Sequence, residues 1–295
     1  MLKIQNSKTK NNLRLLLYFA GAILIILVGC GPQKREATRV CPGKGSAAEA
    51  LSVLRSRSEN ATPLKANGQC RLQYHIEDDN KPKKENFPVK LWVNPPAEIY
   101  LQGDIAFDAK GIVLGSNEDE FWLSMKPKEI SSYWWGKWSQ KSSLGKLTIS
   151  PKLLLDAIGI GAVSGKEKWS LSNEGGFDVL TKRNEQTGIQ KIYISNCDYL
   201  IRKIEYFDEG QVVVVTELDK YKEVSKDFFA PSVIKIVNQT GDGDKDSDSI
   251  TLNLKSIKPA NFSERQRKVL FTRPQPRGFE HIYKIVDGNM IEQPQ

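Results

Sequence analysis

The sequence predicts a mainly β protein, folded as an incomplete antiparallel β-barrel. Apolar and polar residues alternate with a period of two through most of the chain between Gly68 and Lys258, as at Val89, Leu91 and Val93. Glycine and acidic turn residues separate the alternating runs at regular spacing. About eleven strands follow one another in a continuous meander with no interdomain linker, which favours a strongly curved sheet over a two-sheet sandwich.

Two helices are predicted beside these strands. The first covers residues 46–57, where a Ser cap precedes apolar residues at helical spacing. The second is short and is inserted between strands. Ser150 can cap it, Pro151 suits its first position, and its apolar face includes Leu154 and Ile158.

The N-terminal segment has the pattern of a secretory signal peptide. Its apolar run from Leu15 to Val28 has about 14 residues and would extend about 21 Å as a helix, less than the roughly 30 Å of a hydrocarbon core. The run is preceded by basic residues and no acidic one. A permanent membrane-spanning helix is the alternative, and the short run disfavours it.

The apolar run ends in the tetrapeptide LVGC at 27–30, which resembles the bacterial lipobox. The resemblance implies cleavage before Cys30, a diacylglycerol thioether on its thiol and acylation of its new amine, for example with palmitate. We therefore expect a signal peptide over 1–29, a tether over 30–45 and a lipid anchor in the cell envelope. Gly31 follows where Asp would favour retention in the inner membrane, so we expect an outer-membrane location facing the periplasm.

Charge and composition exclude several functions. The formal net charge of the chain is +8, and the leader carries four of its basic residues. The remaining Lys and Arg are interleaved with Asp and Glu and form no basic stripe, so we expect no nucleic-acid partner. A mild attraction to an anionic membrane surface is compatible with this balance.

Three cysteines besides the lipobox residue allow one disulfide in an oxidising compartment. The sequence does not determine which two of them pair. We expect Cys41 to pair with Cys70, because that bond would join the N-terminal helix to the first strand. Cys197 would then be a half-buried free thiol. The alternative is that all three remain reduced.

The sequence offers little support for catalysis or metal binding. His75 and His281 are its only histidines, and no His/Cys cluster suits zinc. The acidic run from Gly241 resembles the start of an EF-hand, but Ser247 stands where that loop needs glycine and Asn253 where it needs glutamate. We therefore predict neither an enzyme, nor a bound metal, nor a cofactor.

The tryptophans of the run WWGKW, Trp134, Trp135 and Trp138, cannot all be buried on one side of a strand. Ordinary packing in the core and at its rim is one interpretation. The other is a contact at a cavity mouth or a membrane interface, where indoles lie between apolar and wet surroundings.

Over about residues 46–257 the chain resembles the LolA/LolB superfamily of bacterial lipoprotein carriers. Four features carry the resemblance: the leading helix running into NGQCRLQY from Asn67, the Pro-rich break WVNPPAEIYLQG from Trp92, the run VLGSNEDEFWL from Val113, and the strand pair DYLIRKIEYFDEGQVVVVTELDKY from Asp198. The resemblance implies an unclosed barrel whose apolar cavity, lidded by helices, shields lipoprotein acyl chains.

The resemblance also implies domain limits and a membrane-bound role. We expect a LolA/LolB-like β domain over 46–258 and a C-terminal tail over 259–295, in which the chain departs from the family. Lipidation at Cys30 is similar to that of the membrane-bound acceptor rather than the soluble carrier. That acceptor has an exposed apolar loop, for which Leu144 is the candidate.

Two functional hypotheses follow. The first is binding of an apolar ligand, such as lipoprotein acyl chains or a lipid, with a role in lipoprotein localisation. Strand alternation selects the predicted cavity residues Ile99, Leu101, Ile105, Phe107, Leu114, Phe121 and Leu123, with Leu154 and Ile158 on the lid. The second is an anchored module for protein interaction or stress sensing that transports no ligand.

Overall fold

The computed structural model describes residues 41–75, 81–105, 108–138, 150–161, 167–184, 188–239 and 247–294. Within them the chain forms three helices, α1 (Ala47–Glu59), α2 (Pro151–Ile158) and α3 (Glu264–Leu270). The strands are β1 (Leu64–Tyr74), β2 (Lys83–Asn94), β3 (Glu98–Ile105), β4 (Asp108–Ser116), β5 (Glu120–Met125), β6 (Ser132–Lys137), β7 (Trp169–Glu174), β8 (Phe177–Asn184), β9 (Gly188–Ser195), β10 (Ile201–Asp208), β11 (Gln211–Ser225), β12 (Phe228–Asn238), β13 (Ser249–Pro259), β14 (His281–Val286) and β15 (Asn289–Glu292).

All of these strands belong to one sheet, in the order β15-β14-β6-β5-β4-β3-β2-β1-β13-β12-β11-β10-β9-β8-β7. Neighbouring strands run antiparallel except β6 and β14, which are parallel. The sheet curls and remains open, with β15 and β7 at its two edges. The predicted fold class, a mainly β chain forming an incomplete barrel, is confirmed.

The inner face of the sheet carries the main hydrophobic core. Burial alternates along β1, where Leu64 and Leu72 are buried while Lys65 and Arg71 are exposed. Because successive side chains of a strand point to opposite faces, the alternating sequence places one apolar row inside. Helix α1 packs against β7 and β8, and α2 packs against β4, β11 and β12.

Both predicted helices are present. Ser46 caps α1 by accepting a hydrogen bond from the backbone N–H of Glu49, and the helix extends two residues beyond the predicted end at 57. Ser150 caps α2 in the same way, with Pro151 at its first position. Gly159 ends α2 in the left-handed conformation, with φ of 80°, which glycine adopts at low cost.

A second, smaller core lies on the opposite face of the sheet. We call it the outer cluster; its buried members are Tyr100, Val113, Trp122, Tyr133 and Phe271. Trp122 is completely buried and lies across Gly115 of the neighbouring strand, where an added Cβ would be 2.4 Å from the indole. The aromatic side chains of β3, β5 and β6 therefore need a cover on this face, and the C-terminal part of the chain supplies it.

The C-terminal segment, residues 260–294, contains α3, β14 and β15, where the sequence predicts only a tail. The hydroxyl of Tyr133 donates to the carbonyl of Pro274 at 2.9 Å, and Arg273 binds Glu120 at 2.8 Å. Strand β14 has one fully buried residue, Ile285. A six-residue strand that pairs with β6, far away in sequence, carries too little alternation to be recognised from the sequence.

The predicted disulfide is wrong. Cys41 pairs with Cys197, with the Cα atoms 5.0 Å apart, and Cys70 is the free, buried cysteine. The N-terminal segment is thus fastened to the turn between β9 and β10 rather than to the first strand. Cys70 occupies an inward position of β1 with 1% of its surface exposed. Three cysteines allow three pairings, and only the sheet order brings residues 41 and 197 together.

Tryptophans of the run WWGKW pack against the C-terminal segment. Trp134 stacks on Tyr283 with ring centroids 6.1 Å apart, and Trp138 contacts another aromatic ring at 4.8 Å. The guanidinium of Arg273 lies 4.2 Å above the ring of Trp135. These contacts favour the packing interpretation. Of the helices in the described part of the chain, none is long and apolar enough to cross a membrane.

Candidate ligand pocket

A pocket opens between α1, α2 and the inner face of β7 to β12, and we call it the α1–α2 pocket. Its buried apolar floor consists of Leu54, Ile158, Ile192, Ile204 and Phe228. Less buried residues around it include Arg57, Lys152, Trp169, Lys182, Ile201, Tyr221 and Phe229. The pocket thus combines an apolar floor with a mouth that carries aromatic rings and basic side chains.

The cavity of this pocket is small. It offers about 70 Å³ to water-sized molecules, which is room for a few waters. Sites for small molecules commonly have about 300–1,000 Å³. The cavity as it stands is therefore too small for an acyl chain.

Helix α2 is attached to the pocket wall through Asp156. This carboxylate accepts hydrogen bonds from the ammonium of Lys152 at 2.7 Å and from the hydroxyl of Tyr206 at 2.8 Å. Burial, reinforced by Asp156, raises the pKa of Tyr206 well above its ordinary value, so this hydroxyl remains a donor. Burial alone would lower the pKa of Lys152, but Asp156 outweighs it and the pKa is raised. Both Lys152 and Tyr206 therefore remain protonated and donate hydrogen bonds to Asp156 at neutral pH.

The cations at the mouth differ in their partners. Lys152 pairs with Asp156, and Lys182 pairs with Glu167 at 3.0 Å. Arg57 instead donates to two main-chain carbonyls, of Tyr199 at 2.5 Å and of Asp198 at 2.8 Å. Burial lowers the pKa of the Arg57 guanidinium, and Asp198 offsets part of this effect. Within the described residues Arg57 forms no ion pair.

An aromatic side chain at the mouth carries a second donor. The indole N–H of Trp169 is buried and has no hydrogen-bond partner among the described residues. The ammonium of Lys182 lies 5.4 Å from the centroid of the same ring. Within the described part of the chain, this N–H is thus a buried donor without a partner beside Lys182.

A buried carboxylate fixes the chain next to the pocket. Asp178 of β8 is completely buried and accepts hydrogen bonds from the hydroxyl of Tyr199 at 2.7 Å, the backbone N–H of Lys44 at 2.8 Å and the side-chain amide of Asn173 at 2.6 Å. Tyr199 itself lines the pocket. Together with the disulfide of Cys41, this network holds the segment that precedes α1 against the wall of the pocket.

No family model matches the chain, and no curated protein matches its sequence. Its structure is similar to a domain from Vibrio parahaemolyticus that is named for outer membrane lipoprotein sorting. That match has a TM-score of 0.52 at 13% identity and covers 75% of this chain and 97% of that one. The chain has a LolA-like fold.

The chain is similar in structure to two further proteins. A DUF1329 family protein from Desulfovibrio piger matches with a TM-score of 0.52 at 8% identity, over 76% of this chain and 98% of that one. A LolA superfamily protein from Nitrosomonas europaea has a TM-score of 0.48 at 12% identity, over 76% and 97% of the two chains. At these identities the similarity concerns the fold alone.

The described residues predicted to line the cavity lie in packed surroundings of this LolA-like fold. Leu101, Leu114 and Leu123 are directly opposite one another on β3, β4 and β5, and each is at most 4% exposed. Ile99, Ile105 and Phe121 are equally buried, as are Leu154 and Ile158 of α2. Among these, Ile158 lines the α1–α2 pocket. Phe107, Leu144, Cys30 and residues 240–246 lie outside the described residues.

The pocket of this LolA-like fold lies in the other half of the sheet, which sequence reasoning did not select. The alternation in β9 and β10 predicts inward isoleucines as clearly as that in β3 does, so Ile192 and Ile204 could have been chosen from the sequence. Arg57 could not, because its position depends on carbonyls about 140 residues away.

The two histidines lie outside the pocket. The Nδ1 atom of His75 is 2.8 Å from Asp248, and that of His281 is 2.8 Å from Glu292. Each histidine therefore has a carboxylate partner away from the pocket. Among the described residues, no three His, Cys, Asp or Glu side chains are arranged to hold a metal ion.

Proposed function

We propose that this chain is a lipid-anchored protein of the bacterial envelope that binds an apolar ligand in the α1–α2 pocket. The ligand would be the acyl chains of a lipoprotein or a lipid, and the role would be in lipoprotein localisation. The observation that supports this most is an apolar floor that opens to solvent beside a short helix, within a LolA-like fold. Binding would rest on burial, worth about 0.8 kcal/mol per methylene, and on no covalent step.

The anchor is part of the proposal. Cys30 would carry the lipid, and the chain between it and Cys41 spans at most about 40 Å when extended. Cys41 is bonded to Cys197, two residues before Tyr199 of the pocket wall. The disulfide would thus keep the pocket within reach of the membrane to which the lipid attaches, which we propose is the outer membrane on its periplasmic side.

An acyl chain would enter by displacing α2. The cavity holds only a few waters, and residues of α2 form part of its lining. The hydrogen bond from the Tyr206 hydroxyl to Asp156 attaches α2 to the sheet, whereas the pair of Lys152 and Asp156 lies within the helix. Entry would break the bond to Tyr206 and would replace the apolar contacts of α2 with contacts between α2 and the ligand.

A second function is favoured by the packed interior. The small enclosed volume and the tight packing around Leu101, Leu114 and Leu123 would suit an anchored module that binds another envelope protein and carries no lipid. Stress sensing belongs to this alternative. Neither function requires a catalytic group, and we propose a binding protein rather than an enzyme.

Lipid extraction would distinguish the two functions. The soluble chain from about residue 33 would be purified without detergent, extracted and analysed for acyl chains by mass spectrometry. We expect bound acyl chains in the wild type and their loss in Ile201→Trp, which fills the pocket from a half-buried position on β10. Ile257→Trp, half-buried on β13 and away from the pocket, is the matched control. Absence of acyl chains and of hydrophobic-dye binding in the wild type would favour the second function.

The anchor has its own test. Incorporation of labelled palmitate into the full chain should be lost in Cys30→Ser, and membrane fractionation should place the wild-type chain with the outer membrane. A wild-type protein that keeps its leader and incorporates no palmitate would contradict the proposed anchor and leave the pocket proposal unaffected.

A further inference from the structure

Arg57 is the one described cation of the pocket mouth whose charge is not matched by an ion pair. The other two basic residues there, Lys152 and Lys182, have carboxylate partners at 2.7 and 3.0 Å. Asp198 forms its ion pair with Arg202, and Asp198 and Asp227 act on Arg57 electrostatically without forming an ion pair with it. Arg57 therefore lies at the edge of an apolar pocket without a carboxylate of the described residues in direct contact.

The position of Arg57 is set by the fold. It lies in the last turn of α1, and its guanidinium is held by the carbonyls of Tyr199 and Asp198 and lies 5.9 Å from the ring centroid of Phe229. These contacts use two of the five N–H donors of a guanidinium. They orient the group through neutral acceptors, so that its charge and further donors remain available to a ligand.

The apolar floor begins one helical turn away. Leu54 precedes Arg57 by three residues, so the two side chains lie on the same face of α1, and both line the pocket. Leu54 is 6% exposed, while Arg57 is half-buried. A molecule lying along this face would place an apolar chain at Leu54 and a head group at Arg57.

A half-buried cation is partly desolvated, and an anion at hydrogen-bond distance offsets this cost. A planar guanidinium matches carboxylate and phosphate oxygens in a two-pronged geometry. An uncharged head group would gain less from Arg57 and would leave it without an anion in contact.

We propose that the α1–α2 pocket selects amphiphiles with an acyl chain and an anionic head group, with the head group bound by Arg57. The inference rests on the proposed function, because it requires an acyl chain in this pocket. It adds a selectivity that apolar burial alone would not produce. Carboxylates of free fatty acids and phosphates of lipids share the required chemistry.

Photolabelling in membrane vesicles that contain the full chain tests this selectivity. Three probes share one sixteen-carbon chain with a diazirine near its end and differ in the head group, which is a carboxylate, a phosphate monoester or a hydroxyl. The measured quantity is labelling of peptides that line the pocket, as the ratio of each anionic probe to the alcohol. Because the ratio is compared between protein variants in the same vesicles, differences in probe partitioning cancel.

We expect at least one anionic probe to label the wild type about tenfold more than the alcohol, and the stronger one identifies the head group. Arg57→Gln should lower this ratio about tenfold, through weaker labelling by the anionic probe. Arg71→Gln removes an exposed guanidinium on β1 and is the control; it should leave the ratio as in the wild type.

The outcomes separate the two proposals. Equal labelling by all three probes, or a ratio unchanged in Arg57→Gln, overturns the head-group selectivity and leaves apolar binding standing. No labelling of pocket peptides by any probe overturns the proposed function and this inference with it. If Arg57→Gln also loses alcohol labelling, the test is repeated with Arg57→Lys, which keeps the positive charge. Provided that Arg57→Lys is still labelled by the alcohol probe, a retained preference for the anionic probe supports the inference. A lost preference overturns it.

Discussion

Removing the carboxylate of Asp178 should destabilise the protein far more than neutralising it. The side chain is completely buried and accepts three hydrogen bonds, from Tyr199, Lys44 and Asn173. Asp178→Ala removes all three at once. Hydrogen bonds to charged groups contribute about 1.5–3 kcal/mol each, and the lower value applies because water can enter the vacated space. We therefore expect a loss of about 4–5 kcal/mol in the free energy of unfolding.

Asp178→Asn should retain most of the stability that Asp178→Ala loses. Its single oxygen can accept from Tyr199 and Lys44, and its amide can donate to Asn173 once that side-chain amide has turned over. Only the charge assistance is lost, which we expect to cost about 1 kcal/mol. The assay is urea unfolding followed by tryptophan fluorescence, with Asp219→Ala, an exposed aspartate of β11, as the control within about 0.5 kcal/mol of wild type. Asn and Ala variants of equal stability would refute this account of the network.

Three further predictions concern the cysteines and the outer cluster. Burial raises the pKa of the Cys70 thiol to about 12, so it should resist alkylation at pH 8 in the native protein. Because the unfolded thiol ionises near pH 9 and the native one does not, stability should fall as pH rises from about 9 to 12, by as much as about 4 kcal/mol. Gly115→Ala places a Cβ 2.4 Å from the Trp122 indole and should cost about 1–3 kcal/mol in urea unfolding. Cys197→Ser opens a disulfide across 156 residues and should lower stability by up to about 5 kcal/mol, with reductant giving a similar shift in the wild type.

Each of these predictions has a matched control. The stability of Cys70→Ala should fall less than that of the wild type as the pH rises from about 9 to 12. An equal fall in both proteins would contradict the role given to the Cys70 thiol. Gly45→Ala places its Cβ at an ordinary 3.7 Å from Glu49 and should be nearly neutral; equal costs at the two glycines would argue against the tight contact in the outer cluster. Unfolding midpoints unaffected by reductant would contradict a closed disulfide.

Much of the fold follows from local sequence. The alternation in β1 to β5 and β8 to β13 requires strands, and the pair Ser150-Pro151 marks the start of α2 before an apolar run. The features that sequence reasoning missed are long-range. Pairing of β14 with β6 leaves little trace in a six-residue strand, and the choice of Cys197 over Cys70 depends on which strands become neighbours.

The pocket was less predictable than the fold. Alternation correctly separates the two sides of a strand, but it does not say where the space between facing side chains is filled. In the described structure Leu101, Leu114 and Leu123 pack tightly, whereas Ile192 and Ile204 border an opening beside α2. Which of two equally apolar regions stays open is decided by the placement of the helices on the curled sheet.

The central claim is that the α1–α2 pocket holds an acyl chain, and the most direct test is the amount of acyl chain extracted per mole of purified soluble protein. We predict about one bound amphiphile per wild-type chain, a similar amount in Ile257→Trp and less than about a tenth as much in Ile201→Trp, at burial energies of several kcal/mol per chain. Acyl chains present equally in all three proteins, or absent from the wild type, would contradict the claim.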